Sequence, residues 1–89
     1  MHLFRRRMKM KSVDERIKET TNILYQMRKH GMDNDPGTVQ LKEEMNAFVR
    51  HGEEQTGRST LENGQEIYWH FSNSITSHVH VMNPKPKTE

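Results

Sequence analysis

Residues 61–81 read L-E-N-G-Q-E-I-Y-W-H-F-S-N-S-I-T-S-H-V-H-V, with the only Trp of the chain and apolar residues alternating with polar ones on both sides of two turns. Asn63-Gly64 between two such runs is a strong hairpin signal, because these residues accept the positive φ that tight turns demand. The register then has two candidates. A two-residue turn sets Leu61 opposite Glu66 and divides the apolar residues between the two faces. A three-residue loop of Glu62, Asn63 and Gly64, with Gly64 left-handed in a bulge, pairs Leu61 with Gln65 and gathers Leu61, Ile67, Trp69 and Phe71 on one face. A one-residue slip turns a strand's whole set over, so burial selects the second register.

The alternation predicts strands at about 58–61, 65–71 and 76–82, the last carrying Val79 and Val81 on its inner face. Ser72-Asn73-Ser74 makes the turn between the second and third. Pro84 and Pro86 cannot donate to a ladder, so residues 83–89 are expected as a disordered Pro/Lys tail. Such a meander has one oily face, and the chain before it must supply the cover.

That cover is helical by period. Ser12-Val13-Asp14-Glu15 fits a capping box, and Val13, Ile17, Thr20, Leu24 and Met27, widened by Ile23, recur at helical spacing. Gly31 follows the cationic turn Arg28-Lys29-His30, which places the end of the first helix near residue 30. Asp35-Pro36 then starts a second helix over about 36–51, with Leu41, Met45 and Phe48 as its stripe and Arg50-His51-Gly52 as its end. The shared endings reflect shared C-cap chemistry, because the two His-Gly pairs and the two aliphatic-Lys-Glu triplets do not repeat at one period. The expected fold class is α+β: an antiparallel αα-hairpin packed on a small three-stranded antiparallel β-meander.

Composition bounds what this fold can be. Only 30% of the 89 residues are hydrophobic, and a domain of this size buries roughly 60% of its unfolded surface, so stability is marginal and association would help. With no Cys, neither a disulfide nor a thiolate metal site can staple it. Arg5, Arg6, Arg7, Lys9 and Lys11 precede the first acid, whereas residues 12–82 hold seven basic and eleven acidic residues, a balance of −4. The layout is a basic flexible arm at 1–11 before an acidic single domain at 12–82. No apolar run is long enough for a membrane span, and the chain reads as soluble and intracellular.

Three features are candidates for chemistry. The arm residues Arg5, Arg6, Arg7, Lys9 and Lys11 can displace counterions from phosphates or meet an acidic protein, and a solvated tail is the plainer account. Tyr68, His70, His78 and His80 fall on the polar face of the sheet. Three imidazoles from adjacent strands could hold zinc, with Glu66 as a base, but alternation alone generates the spacing, so no metal and no cofactor are assigned. Arg58 with Tyr68 and Trp69 could stack bases, yet Trp69 belongs to the inner face and reads as core.

The run F-V-R-H-G at 48–52, then G-R-S-T-L at 57–61, N-G-Q-E-I-Y-W-H-F at 63–71 and H-V-H-V at 78–81, resembles small uncharacterised proteins of large eukaryotic DNA viruses. The resemblance covers residues 13–82 and implies a virion-associated or accessory role, in the virion or the host cell interior, with no catalytic residue carried over. The expected function is a non-enzymatic interaction or structural module within a larger assembly. It would bind a protein partner or a second copy, and its arm would contact nucleic acid or an acidic partner; no small-molecule substrate is expected. The alternatives are a nucleic-acid-binding protein that uses its folded face, and a His-based metal enzyme.

Overall fold

The computed structural model describes residues 10–83. Helix α1 spans Val13–Lys29, and its start is the full capping box: Ser12 Oγ accepts from the Glu15 amide and the Glu15 carboxylate accepts from the Ser12 amide. Its end is a Schellman closure, with Gly31 at φ 72°, the Gly31 amide on the Arg28 carbonyl and the Met32 amide on the Met27 carbonyl. The carbonyls of Met27 and Arg28 are thereby satisfied, and Met32 is turned back onto the core.

Asp35 caps a 3-10 turn, Pro36–Thr38, by accepting from the Gly37 amide, and the turn runs into helix α2, Val39–His51. The second helix was expected from residue 36 as one piece. The difference falls where the chain meets β1: a Cβ on Gly37 would lie 2.9 Å from the Thr60 carbonyl carbon, so only glycine fits in this turn, which the Thr38 amide closes on the Asp35 carbonyl. Gly52, at φ 68°, ends α2 in the left-handed conformation.

Strands β1 (Gln55–Thr60), β2 (Glu66–Phe71) and β3 (His78–Met82) form an antiparallel sheet in the order β1-β2-β3. The hairpin has the three-residue loop: the Gly64 amide bonds the Leu61 carbonyl, the Leu61 amide bonds the Gln65 carbonyl, and Gly64 sits at φ 91°. Two strand starts differ from expectation by more than one residue. β1 begins at Gln55 rather than about 58, in a segment with no apolar residue to announce it. β3 begins at His78 rather than 76, because Ser77 is spent on the preceding loop, where its hydroxyl accepts from the Ser72 amide.

Met27, Leu41, Met45, Phe48, Leu61, Ile67, Trp69 and Phe71 are the buried core, with the Phe48 and Phe71 rings stacked 5.8 Å apart. Helix α2 rather than α1 makes the main contact with the sheet, over β1 and β2, while α1 packs against α2. That arrangement corrects the expected stripe of α1. Val13 and Ile17 are about half exposed, and the buried row is Arg16, Thr20 and Met27 with Ile23 and Leu24 alongside. A helix lying on another helix presents a different arc from one lying flat on a sheet.

Arg16 is tolerated inside because each of its three guanidinium nitrogens donates a hydrogen bond. Nε and Nη2 donate to the Val49 carbonyl at 3.1 and 2.9 Å, and Nη1 donates to the Lys11 carbonyl at 2.6 Å. The cation lies over the Phe48 ring, 5.9 Å from its centre. The start of α1 thus supplies a cap for the end of α2, at the pole where a cation suits the helix dipole.

Candidate functional site

The strand register sorts the polar residues of the sheet onto its outer face. Thr56, His70 and His78 make one row across the three strands; Arg58, Tyr68 and His80 make the next; Thr60, Glu66 and Met82 make the third. The four residues expected there, Tyr68, His70, His78 and His80, are therefore together. The His70 and His78 rings meet edge to face at 5.6 Å between centres, and His78 and His80 lie 4.8 Å apart. Tyr68 donates its hydroxyl to Glu66 at 3.0 Å.

Trp69 points the other way. It is 1% exposed, lies across Gly57, and donates its indole N–H to Glu44 on α2 at 2.7 Å. It can offer no base a stacking surface. Among the described residues, no group of three or more His, Cys, Asp or Glu side chains is placed to hold a metal ion, so the imidazole cluster gives the metal reading no geometric support. Glu66, the base that reading required, is engaged with Tyr68. Among the same residues no helix is long and apolar enough to cross a membrane.

Lys11 is drawn into the folded body rather than the arm. Its ammonium bonds both carboxylate oxygens of Glu19 at 2.9 Å and the Ile75 carbonyl at 2.7 Å, and its amide donates to Asn73 Oδ1. Arg5, Arg6, Arg7 and Lys9 lie outside the described residues.

Two carboxylates hold the loop between β2 and β3. Glu19 also accepts from the Ser77 amide at 2.9 Å; burial works against its charge, but the bonds from Lys11 and Ser77 outweigh this and hold its pKa below the ordinary 4.5. Glu54 accepts from the Asn73 amide at 2.8 Å and from the Ser72 hydroxyl at 3.1 Å, and the first of these does most to lower its pKa. Neither role is announced by the sequence, because the partners of Glu19 and Glu54 in this loop lie 58 and 19 residues away.

The second open feature is a groove of about 730 Å³ between the C-terminal half of α1, the hairpin loop and the inner face of β3. Ile23, Met27, Met32, Leu61, Val79 and Val81 give it an apolar lining, while Asn22, Gln26, His30 and Gln65 are polar. It exists because α2 takes the place over β1 and β2, leaving Val79 and Val81 only half-buried. Asp35 closes one end; its carboxylate accepts from the amides of Gly37 and Glu62 and so ties the hairpin loop to the helical layer. The sequence signal for the groove was slight: an apolar Met just past Gly31, and two Val residues with no helical counterpart.

No protein-family model, curated protein or solved structure matches the chain. The resemblance to proteins of large DNA viruses accordingly carries none of the argument that follows.

Proposed function

We propose that the protein is a non-enzymatic interaction module working within a larger assembly, in which a helical hairpin laid on a β-meander presents docking surfaces and the basic N-terminal arm contacts nucleic acid or an acidic partner. The observation that carries this reading is the groove beside β3. A chain with so few buried apolar side chains leaves Val79 and Val81 half-covered on a strand that, among the described residues, has no neighbour on its outer side, where a protein partner would complete the burial. The charge layout supports the role of the arm, since Arg5, Arg6, Arg7 and Lys9 precede an acidic body that would itself be repelled by phosphates.

The test replaces Arg5, Arg6, Arg7 and Lys9 by Ser in the full chain and follows binding to duplex DNA against salt. Each phosphate contact contributes a slope of about −0.9 in log K against log salt. The variant should lose most of both affinity and slope; unchanged binding and slope would remove the arm from the proposal.

A second reading, in which the folded face binds single-stranded nucleic acid, is favoured by one observation: the register sets Arg58, Tyr68 and three imidazoles side by side on the face of the sheet away from the helices. Flat side chains in that number can stack bases without sequence preference. Chemical-shift changes at Arg58, Tyr68 and His78 on adding an oligonucleotide would support it, and changes limited to the arm would count against it.

A further inference from the structure

The two edges of the sheet are not alike. β1 is approached at its end by the backbone of the Pro36–Thr38 turn, which meets the Thr60 carbonyl, and it carries the charge of Arg58. β3, His78–Met82, is the other edge, with no proline, no bulge, and neither Lys, Arg, Asp nor Glu in its length. Natural sheets protect edges by such devices, because bare ladder groups pair with any strand that fits.

Which groups are bare follows from the hairpin. The bond from the Leu61 amide to the Gln65 carbonyl fixes Leu61 and Gln65 as partners through hydrogen bonds, so alternation gives Ile67, Trp69 and Phe71 the bonds to β1. Glu66, Tyr68 and His70 then bond toward β3, to Met82, His80 and His78. The N–H and C=O of Val79 and Val81 are left pointing outward from the edge.

We propose that a second copy of this chain occupies this edge, β3 pairing antiparallel with β3 of the partner about a two-fold axis at His80. In this register Val79 faces Val81 across the axis and Val81 faces Val79, so the four outward-pointing residues exchange all their hydrogen bonds. Their side chains fall on the inner face, where they continue the half-buried row beside each groove, and two three-stranded sheets become one of six. The contact is self-complementary, as a two-fold interface requires. It also brings together the one stretch of edge without fixed charge, so the acidic bodies meet without like charges in the strand. This inference rests on the reading of the protein as an interaction module and names the partner at its sheet edge; it does not involve the arm.

The chain has no Cys, so a single introduced thiol reports the pairing without interference. His80 would face its symmetry mate as a pair without hydrogen bonds, about 4.5 Å between Cα atoms, which suits a disulfide. The full chain should sediment as a dimer at tens of micromolar, and H80C should form a disulfide-linked dimer at least about ten times faster than T56C, on the other edge. The second variant, Val79→Pro, removes only an amide that points off the sheet and should sediment as a monomer with the β2–β3 cross-strand contacts retained. A monomeric wild-type chain, or a dimer in which H80C cross-links no faster than T56C, overturns the proposal. A V79P chain that keeps the β2–β3 contacts and still sediments as a dimer overturns it as well.

Discussion

Gly57 sits in the middle of β1, where general rules say that alanine should be better. Its φ is not in the left-handed region, and exchanging Gly for Ala in a strand recovers about 0.5–1 kcal/mol of backbone entropy. The structure predicts the opposite sign. A Cβ at this position would lie 2.6 Å from Cε2 and 2.9 Å from Nε1 of Trp69, and closer still to Cζ2. The ring cannot step aside cheaply, because Trp69 is 1% exposed and its indole N–H is held by Glu44. Overpacking of this kind costs about 1–3 kcal/mol, and loosening a hydrogen bond to a charged acceptor adds about 1.5–3 kcal/mol when the bond is lost. Even at the low end of both terms the cost exceeds the entropic gain, and Gly57→Ala should destabilise by about 2 kcal/mol. For a chain of this size that lowers the melting temperature by roughly 10 °C. Trp69 is the only Trp, so its emission reports both the unfolding curve and the change in indole environment. A G57A variant as stable as the parent, with unchanged emission, would refute the packing argument, including the need for α2 to lie over this part of the sheet.

Two further outcomes follow from the charged groups that tie the elements together. Arg16→Ala leaves the carbonyls of Val49 and Lys11 without their donor and opens space beside Phe48, so urea unfolding should show a loss of about 3 kcal/mol; Lys at the same position, without the fork, should recover less than half. The folded pKa values of Glu19 and Glu54 lie below 4.5, so the unfolded chain binds more protons in that window and stability must fall as pH drops from about 4.5 through the folded values. Unfolding midpoints measured between pH 7 and 3 should show this decline, and the double variant E19Q/E54Q should be less stable at pH 7 with a shallower decline; an equal slope in both proteins would show that these carboxylates do not carry it.

How much of the molecule was legible depended on whether a residue had one way to satisfy itself or several. The hairpin register could be read because Leu61, Ile67, Trp69 and Phe71 share a face in one register and are split in the other. The outer face followed at once, since Tyr68, His70, His78 and His80 occupy the remaining positions. The start of β1 could not be read: Gln55, Thr56 and Gly57 have no hydrophobic signature, and Gly57 is there for a ring twelve residues away. The buried row of α1 was hidden by Arg16, whose burial depends on two carbonyls and a ring that come together only in three dimensions. Lys11 looked like part of a basic run until Glu19 and the Ile75 carbonyl were brought beside it.

The same distinction explains where an interaction surface can lie on so small a body. Most of its polar anchors are spent on holding the helices, the 3-10 turn and the loop before β3 in place: Asp35 on the hairpin, Glu19 and Glu54 on the loop, Arg16 on the end of α2. The helical layer is thereby fixed over β1 and β2, and it cannot also cover β3. A strand whose Val face is only half-covered and whose outer face is His is then the consequence of how the charges were used. A partner that adds a strand satisfies both the bare ladder and the half-buried Val79 and Val81 in one contact, whereas a partner on the outer face alone would leave them open. That is the physical ground on which the proposed contact is placed at the edge of β3 rather than on the imidazole cluster.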